Sequence, residues 1–196
     1  ALRLAEVRGH FDAAQVSDWL GELRMMPLHM ETTLERAPRV REVARRPEYH
    51  EAANAMFIGR GMNYPTALEG ALKLKEISYI HVEGYAAGEM KHGPIALVSP
   101  GLPVIAIAVP GEVHAKTLSN MEELRARGAR LLAVGADDDP QLASHAADYL
   151  SVPPCPEELS PLLLALPLQL FAYEAAIALD RDIDRPRNLA KSVTVE

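Results

Sequence analysis

The sequence predicts a three-layer α/β/α domain with a mainly parallel sheet of about five strands, preceded by a helical segment. From residue 55 onward, short apolar runs alternate with amphipathic segments. Each apolar run has the length of a strand rather than of a buried helix, and no internal repeat or low-complexity tract interrupts the pattern. Strands that alternate with helices form parallel sheets covered on both faces.

The first 46 residues are predicted to be a helical lead-in. Asp12 or Ser17 is a candidate N-cap for a first helix with apolar positions between residues 16 and 23. A second helix through residues 34–43 carries several arginines, which we place on its outer face. Prolines punctuate this region, and we expect the lead-in to pack on the main domain or on a neighbour. The prolines are Pro27, Pro38 and Pro47.

The main domain is predicted over residues 47–183, and a polar tail over residues 184–196 is predicted to close the active site. Gly128 is a C-cap signal for the helix before it. Ligands of such domains bind beyond the carboxyl ends of the strands. The predicted strands are residues 55–59, 79–82, 103–109, 131–134 and 149–152, and the predicted helices are residues 65–78, 112–127, 137–147 and 159–179.

Charge and composition exclude several classes of function. With 27 acidic and 20 basic residues, the chain has a formal charge of −7, which argues against nucleic-acid binding and against an anionic membrane surface. The apolar segment 159–179 contains two prolines and Glu174, so we interpret it as a buried core helix and not as a membrane span. No targeting segment is visible, and a cytoplasmic location is expected.

Cysteine and histidine usage predicts neither disulfides nor a metal site. Cys155 is the one cysteine, so an internal disulfide and a multi-cysteine zinc site are excluded, and without a motif we expect an inert thiol. The turn at residues 59–65 has a Gly-x-Gly pattern but lacks the third glycine of a dinucleotide site and the Gly-Lys-Ser/Thr of a phosphate loop. We therefore expect no cofactor.

The predicted helix 65–78 carries the most specific pattern in the chain. Glu69, Lys73 and Glu76 are spaced i, i+4 and i+7, which places them on one helical face. Two explanations fit this spacing equally well. One is a stripe of solvent-exposed salt bridges, and the other is a general base with a cation beside it. A carboxylate and a cation are what proton transfer between adjacent sugar carbons requires.

Two further segments have both a structural and a functional interpretation. His92 lies in a glycine-rich loop, where it either bonds to backbone or moves a proton during opening of a cyclic sugar. The tail from residue 184 is either frayed or folds over a pocket, in which case Arg187 and Lys191 would pair with an anion.

Two stretches resemble the glucosamine-6-phosphate synthase family. They are ALEGALKLKEISYIHVEGYAAGEMKHGPIAL at residues 67–97 and the ending DRPRNLAKSVTVE from residue 184, and they occur in the order that the family shows. The resemblance extends over most of the chain and implies a sugar isomerase (SIS) domain, the second of two in the isomerase half of those enzymes.

The resemblance implies a role for each matching residue. Glu76 matches the general base that moves a proton between C1 and C2, and Lys73 matches a lysine beside it. His92 matches a histidine that opens the sugar ring and is donated across a homodimer interface. Lys191 matches a tail lysine that contacts the open-chain sugar. The implied substrate-binding positions are Glu69, Arg187 and Ala190.

The implied reaction is that of an aminotransferase and isomerase of amino sugar biosynthesis. Ammonia from glutamine adds to open-chain fructose 6-phosphate, and isomerisation gives glucosamine 6-phosphate without a cofactor or metal. Two features depart from the family: no N-terminal glutaminase cysteine is present, and the loops lack the Ser/Thr cluster that grips the phosphate. We therefore expect a part of a longer enzyme, without the glutaminase and first SIS domains and inactive alone.

Two other hypotheses stay open. One is a stand-alone SIS-type sugar-phosphate isomerase or deglycase, which would not need glutamine. The other is a module that binds a sugar phosphate without turnover, and it predicts that Glu76 and His92 are dispensable.

Overall fold

The computed structural model describes residues 1–137 and 139–189 of the chain. It confirms the predicted α/β class. The strands are β1 Asn54–Gly59, β2 His81–Ala86, β3 Pro103–Ile107, β4 Arg130–Ala136 and β5 Asp148–Val152. The α-helices are α1 Leu2–Val7, α2 Ala13–Glu35, α3 Ala37–Ala44, α4 Pro47–His50, α5 Asn63–Ser78, α6 His114–Arg125, α7 Pro140–Ser144 and α8 Ser160–Ala178, and 3₁₀ helices span Ala87–His92, Pro94–Leu97 and Glu157–Leu159.

The five strands form one parallel sheet in the order β2-β1-β3-β4-β5. Asn54 of β1 lies opposite His81 of β2, and Met56 lies opposite Val104 of β3. The chain therefore starts at β1, moves outward to β2 and then returns to the other side of β1. In sheets of this order, ligands bind beside the carboxyl ends of the strands where the direction reverses.

The sheet separates two hydrophobic cores. Side chains alternate between the two faces of a strand, so Phe57 enters one core while its neighbours Met56 and Ile58 enter the other. The first core contains α3, α5 and α8, and the second contains α6 and the 3₁₀ helix Ala87–His92. This division decides which parts of the candidate site can meet within one chain.

Helix α2 begins at the predicted cap and continues through Pro27. Asp12 accepts a hydrogen bond from the backbone N–H of Gln15 at 2.8 Å, and the Gln15 side chain accepts one from the Asp12 N–H at 2.9 Å. Pro27 lies inside the helix instead of interrupting it. Its ring deprives the Leu23 carbonyl of a partner, and because Leu23 is 39% exposed, water reaches this turn.

Two arginines of the lead-in keep exposed side chains, as an outer face predicts, but their guanidinium groups reach a buried carboxylate. Arg41 and Arg45 both bind Glu174 of α8, with Nε to carboxylate distances of 3.0 and 2.8 Å. The Glu174 side chain is only 4% exposed. A carboxylate in that position requires charged partners, and the guanidinium groups of the lead-in provide them.

A second buried carboxylate joins the lead-in to the sheet edge. Asp148 of β5 is 2% exposed at its side chain and accepts a hydrogen bond from the Tyr49 hydroxyl at 2.8 Å. Arg46 donates to the same carboxylate, and Arg39 and Arg130 approach it at 3.4 and 3.2 Å. The lead-in thus packs on the main domain, one of the two locations that we expected.

Strand β2 and helix α7 differ from their predicted bounds. The strand lies at His81–Ala86 instead of residues 79–82, because Tyr79 ends α5 in a left-handed conformation with φ of 66°. As an edge strand, β2 carries polar and small residues that do not form an apolar run. Helix α7 is restricted to Pro140–Ser144 instead of residues 137–147, and it starts where Asp139 caps it.

One described helical stretch, Glu157–Ala178, is long and apolar enough to cross a membrane, with a mean hydropathy of 1.5. Half of the most apolar 18-residue part of this stretch is buried inside the fold. The buried side chains include Leu163, Leu164 and Leu168, which belong to the first core. The packing agrees with the interpretation of this segment as a core helix.

The turn between β1 and α5 yields a stability prediction. A Cβ on Gly59 would lie 2.2 Å from the backbone carbonyl oxygen of Asn63, a group that cannot move without breaking α5. We expect Gly59→Ala to lower the free energy of unfolding by at least about 2 kcal/mol in urea titrations followed by circular dichroism. The matched control is Gly21→Ala, which meets no atom within 4 Å in α2 and should stabilise by about 0.5–1 kcal/mol. Equal effects would contradict the close approach.

Candidate active site

Helix α5 holds three charged side chains on the face that points away from the sheet. Its buried positions Ala67, Ala71 and Leu74 form the contact with the sheet and α8. Glu69, Lys73 and Glu76 each follow one of these positions by two residues, which rotates them by about 200° around the helix. Good helix formers fill the segment, so the sequence determines both the helix and the orientation of this face.

Lys73 and Glu76 form an ion pair on that face. The Lys73 Nζ donates to the Glu76 Oε2 at 2.7 Å, and the two side chains are 35% and 28% exposed. This hydrogen bond raises the pKa of Lys73, burial opposes the rise, and the charges of Glu76 and Glu69 add to it. Lys73 is therefore a cation at neutral pH, held directly beside a carboxylate.

The apolar residues around this pair only partly enclose it. Ala71 and Leu74 are buried, but Leu68 and Leu72 are 41% and 43% exposed. The apolar neighbours of the pair are thus buried on one side of the helix only. Glu69 lines a groove of about 210 Å³ between α5 and α8, together with Pro65, Thr66, Pro161 and Ala165.

His92 lies in a different layer from Glu76. It ends the 3₁₀ helix Ala87–His92, whose residues Ala87 and Met90 are buried in the second core, across the sheet from α5. Lys91 fixes this segment to α6 through an ion pair with Glu123 at 2.8 Å. His92 is exposed and has no hydrogen bond to the described part of the chain. The fold does not bring His92 to the Lys73–Glu76 pair of the same chain.

Arg187 follows α8 in sequence and packs in space against Tyr79, the residue after α5. Its backbone N–H donates to the Tyr79 hydroxyl at 2.9 Å, and its guanidinium carbon is 4.1 Å from the centre of the Tyr79 ring. Tyr79 was not singled out from the sequence; its position three residues after Glu76 was the available signal. The predicted site residues Ala190 and Lys191 lie outside the described residues.

The turn that follows β1 is built as the Gly-x-Gly pattern predicts. Gly61 has φ of 56°, which favours glycine. Arg60 donates to the Asn120 side chain at 3.3 Å and packs against Gly88, which belongs to the 3₁₀ helix that ends at His92. This arginine was not identified from the sequence as a contact of that segment.

The remaining sequence candidates are placed away from this face. Burial raises the pKa of the Cys155 thiol, and the charge of Glu22 adds to the rise, which disfavours a reactive thiolate. Among the described residues, no group of three or more His, Cys, Asp or Glu side chains has a metal-binding arrangement.

The chain is similar to curated enzymes over its whole length. It is 53% identical over 197 residues to a protein of Gloeobacter violaceus and 48% identical over 196 residues to one of Thermus thermophilus. Both are named glutamine–fructose-6-phosphate aminotransferase (isomerizing). The matches cover 100% of this chain and 32% of each relative, so the chain spans about a third of their length.

Solved structures agree with this similarity. The C-terminal domain of glucosamine-fructose-6-phosphate aminotransferase from Francisella tularensis matches with a TM-score of 0.88 and 33% identity, over 94% of this chain and 51% of that one. The sugar isomerase domain of an RpiR transcription factor from Sphaerobacter thermophilus shares the fold alone, with a TM-score of 0.69 and 18% identity over 82% and 90% of the two chains.

A family model described as SIS domain matches residues 48–179. The resemblance inferred from the two sequence stretches is thereby confirmed. By its family match and its fold, the chain belongs to the SIS domain family.

Proposed function

We propose that this chain is the isomerase domain of a glutamine–fructose-6-phosphate aminotransferase and supplies the residues for C1–C2 proton transfer. The observation that carries the proposal is the Lys73–Glu76 pair at 2.7 Å on an accessible helix face. Its support comes from the roughly one-half identity to relatives that bear this name.

The pair has the chemistry that the reaction requires. Ammonia adds to the C2 carbonyl of the open-chain ketose and water leaves, which gives an imine at C2. The Glu76 carboxylate then removes a proton from C1 while the imine nitrogen gains one, and the resulting carboxylic acid returns its proton to C2 while the C1 hydroxyl loses its proton and becomes the aldehyde. Negative charge that develops on the substrate between the two steps is stabilised by the Lys73 cation. Because the proton is returned, the reaction leaves Glu76 in its starting form.

The geometry also supports a site that needs further chains or domains. His92 lies across the sheet from Glu76, so a histidine that opens the sugar ring would come from a second copy in a homodimer. The phosphate grip and the ammonia source are proposed to lie in a first SIS domain and a glutaminase domain. The exposed Leu68 and Leu72 beside the pair provide apolar surface for such a neighbour.

A chimeric enzyme tests the proposal. The matching 197 residues of the Gloeobacter violaceus relative are replaced by this chain, and glucosamine 6-phosphate formation from fructose 6-phosphate and glutamine is measured. We expect turnover by the chimera and none by the chain alone. A folded but inactive chimera would contradict the proposal. Conversion of fructose 6-phosphate to glucose 6-phosphate by the chain alone would favour the stand-alone isomerase instead.

A further inference from the structure

The 3₁₀ helix Ala87–His92 has little support of its own for the histidine that it carries. Runs of 3₁₀ helix longer than three or four residues are uncommon, because their hydrogen bonds have poor geometry, and this one has six residues. Ala87 and Met90 fix its inner side in the second core. His92 itself is exposed, so its orientation depends on contacts that other elements make with this helix.

Arg60, in the turn between β1 and α5, makes one of these contacts. A Cβ on Gly88 would lie 2.7 Å from the Arg60 Nη1 and 3.2 Å from its guanidinium carbon. The guanidinium therefore fills the space that a larger side chain at Gly88 would need. The same Nη1 donates to the Asn120 Oδ1 at 3.3 Å, and Asn120 is 7% exposed. Arg60 thus joins the turn after β1, the 3₁₀ helix and α6 at one point.

A second contact with α6 is weaker. The Lys91 Nζ lies 2.8 Å from the Glu123 Oε1, one helical turn beyond Asn120. The Lys91 side chain is 61% exposed, and an ion pair so open to solvent contributes at most about 1 kcal/mol. The contact of Arg60 with Gly88 and the buried Asn120 is therefore the better enclosed of the two.

The position of Gly88 gives the Arg60 contact leverage over His92. Four residues separate Gly88 from His92, which is about 8 Å along a 3₁₀ helix. A tilt of about 10° at Gly88 would therefore displace His92 by about 1.4 Å. Proton transfer tolerates only about 0.5 Å of displacement of the acting group.

We infer that Arg60 is a positioning residue that fixes the direction of the 3₁₀ helix, so that His92 reaches the sugar ring bound by a second copy of the chain. This inference rests on the proposed function. Arg60 lies in the turn that leads into α5, the helix of Lys73 and Glu76. One residue thereby links the segment of the ring-opening histidine to the helix of the proposed base.

The first test measures the contact itself in the whole chain by amide hydrogen exchange. We expect Arg60→Ala to speed exchange in the 3₁₀ helix Ala87–His92 by at least about tenfold. Gly88→Ala, which displaces the guanidinium, should also speed it, but not in an Arg60→Ala background, because both changes act on one contact.

The matched control is Arg127→Ala, because Arg127 donates to the backbone carbonyl of Glu123 on α6 at 2.6 Å. It should leave exchange in the 3₁₀ helix unchanged. Unchanged exchange in Arg60→Ala would overturn the inference. An equal rise in Arg127→Ala would indicate a general loosening of α6 and would overturn it too.

The second test uses turnover by the chimeric enzyme. We expect Arg60→Ala to lower turnover about ten- to a hundredfold and to have no further effect in a His92→Ala background. Equal effects in both backgrounds would indicate a merely structural role and overturn the inference. Unchanged turnover in Arg60→Ala would remove this inference alone, whereas full turnover in Glu76→Gln would remove the proposed function and this inference with it.

Discussion

Glu76→Gln is expected to lower the rate of C1–C2 proton transfer by about 10²- to 10⁴-fold, the contribution of a general base. The amide keeps the size and the hydrogen-bonding oxygen of the side chain but cannot accept a proton. The helix should persist, because the side chain is partly exposed and glutamine is a good helix former. Exchange of the C1 proton of fructose 6-phosphate with D₂O, followed by NMR in the chimeric enzyme, measures this step directly.

The control for this prediction is Glu83→Gln. Glu83 is also a partly exposed carboxylate, 49% at its side chain, but it lies on the edge strand β2. It should leave the exchange rate unchanged. Exchange in Glu76→Gln at the rate of the unmodified enzyme would exclude Glu76 as the base and favour the solvated salt-bridge stripe instead.

Asp148→Ala is expected to have the largest effect on stability, a loss of about 3–5 kcal/mol in the free energy of unfolding. The substitution leaves the Tyr49 hydroxyl and the neighbouring guanidinium groups of Arg46 and Arg130 without their shared acceptor. Removing one member of a buried charged cluster costs more than the cluster contributes as a whole. Urea titrations at pH 7 give the value.

Asp137→Ala is the matched control, because Asp137 pairs with Arg36 at 2.5 Å but is 39% exposed at its side chain. Solvent screening reduces the expected loss to about 0–1 kcal/mol. Burial tends to raise the pKa of Asp137, but hydrogen bonds from Arg36 and Ser151 outweigh it and hold this pKa below its usual value. The small contribution of Asp137 should therefore disappear as the pH falls through that lowered pKa. Similar losses for both variants at pH 7 would contradict the burial argument.

The hydrophobic pattern predicted four of the five strands correctly but misplaced the edge strand β2. The runs that became β1, β3 and β4 are buried on both faces and β5 is buried on one, and each was predicted within a few residues. Strand β2 was displaced because edge strands tolerate polar and glycine residues. The end of α5 at Ser78 was predicted correctly, although the left-handed tyrosine that follows it gives no signal comparable to that of glycine.

The site was predictable where its residues share one helix. The spacing of Glu69, Lys73 and Glu76 requires one face, and the structure places all three there. The separation of His92 from them depends on which side of the sheet its segment packs, a tertiary property that spacing does not contain. The contact of Arg41 with a buried carboxylate is a similar case, because that carboxylate is 133 residues away in sequence.

The arginine pairs of α3 also limit how this domain can be exchanged between proteins. The segment shared across the SIS family begins at residue 48, after α3, yet it contains both Asp148 and Glu174. Recombination at that boundary would import Glu174 without Arg41 and Arg45, whereas Asp148 would keep Arg130 and Tyr49. A recombined gene that keeps Glu174 paired must therefore carry the codons for residues 41–45 with those for α8, or replace Glu174 by an apolar residue in the same event.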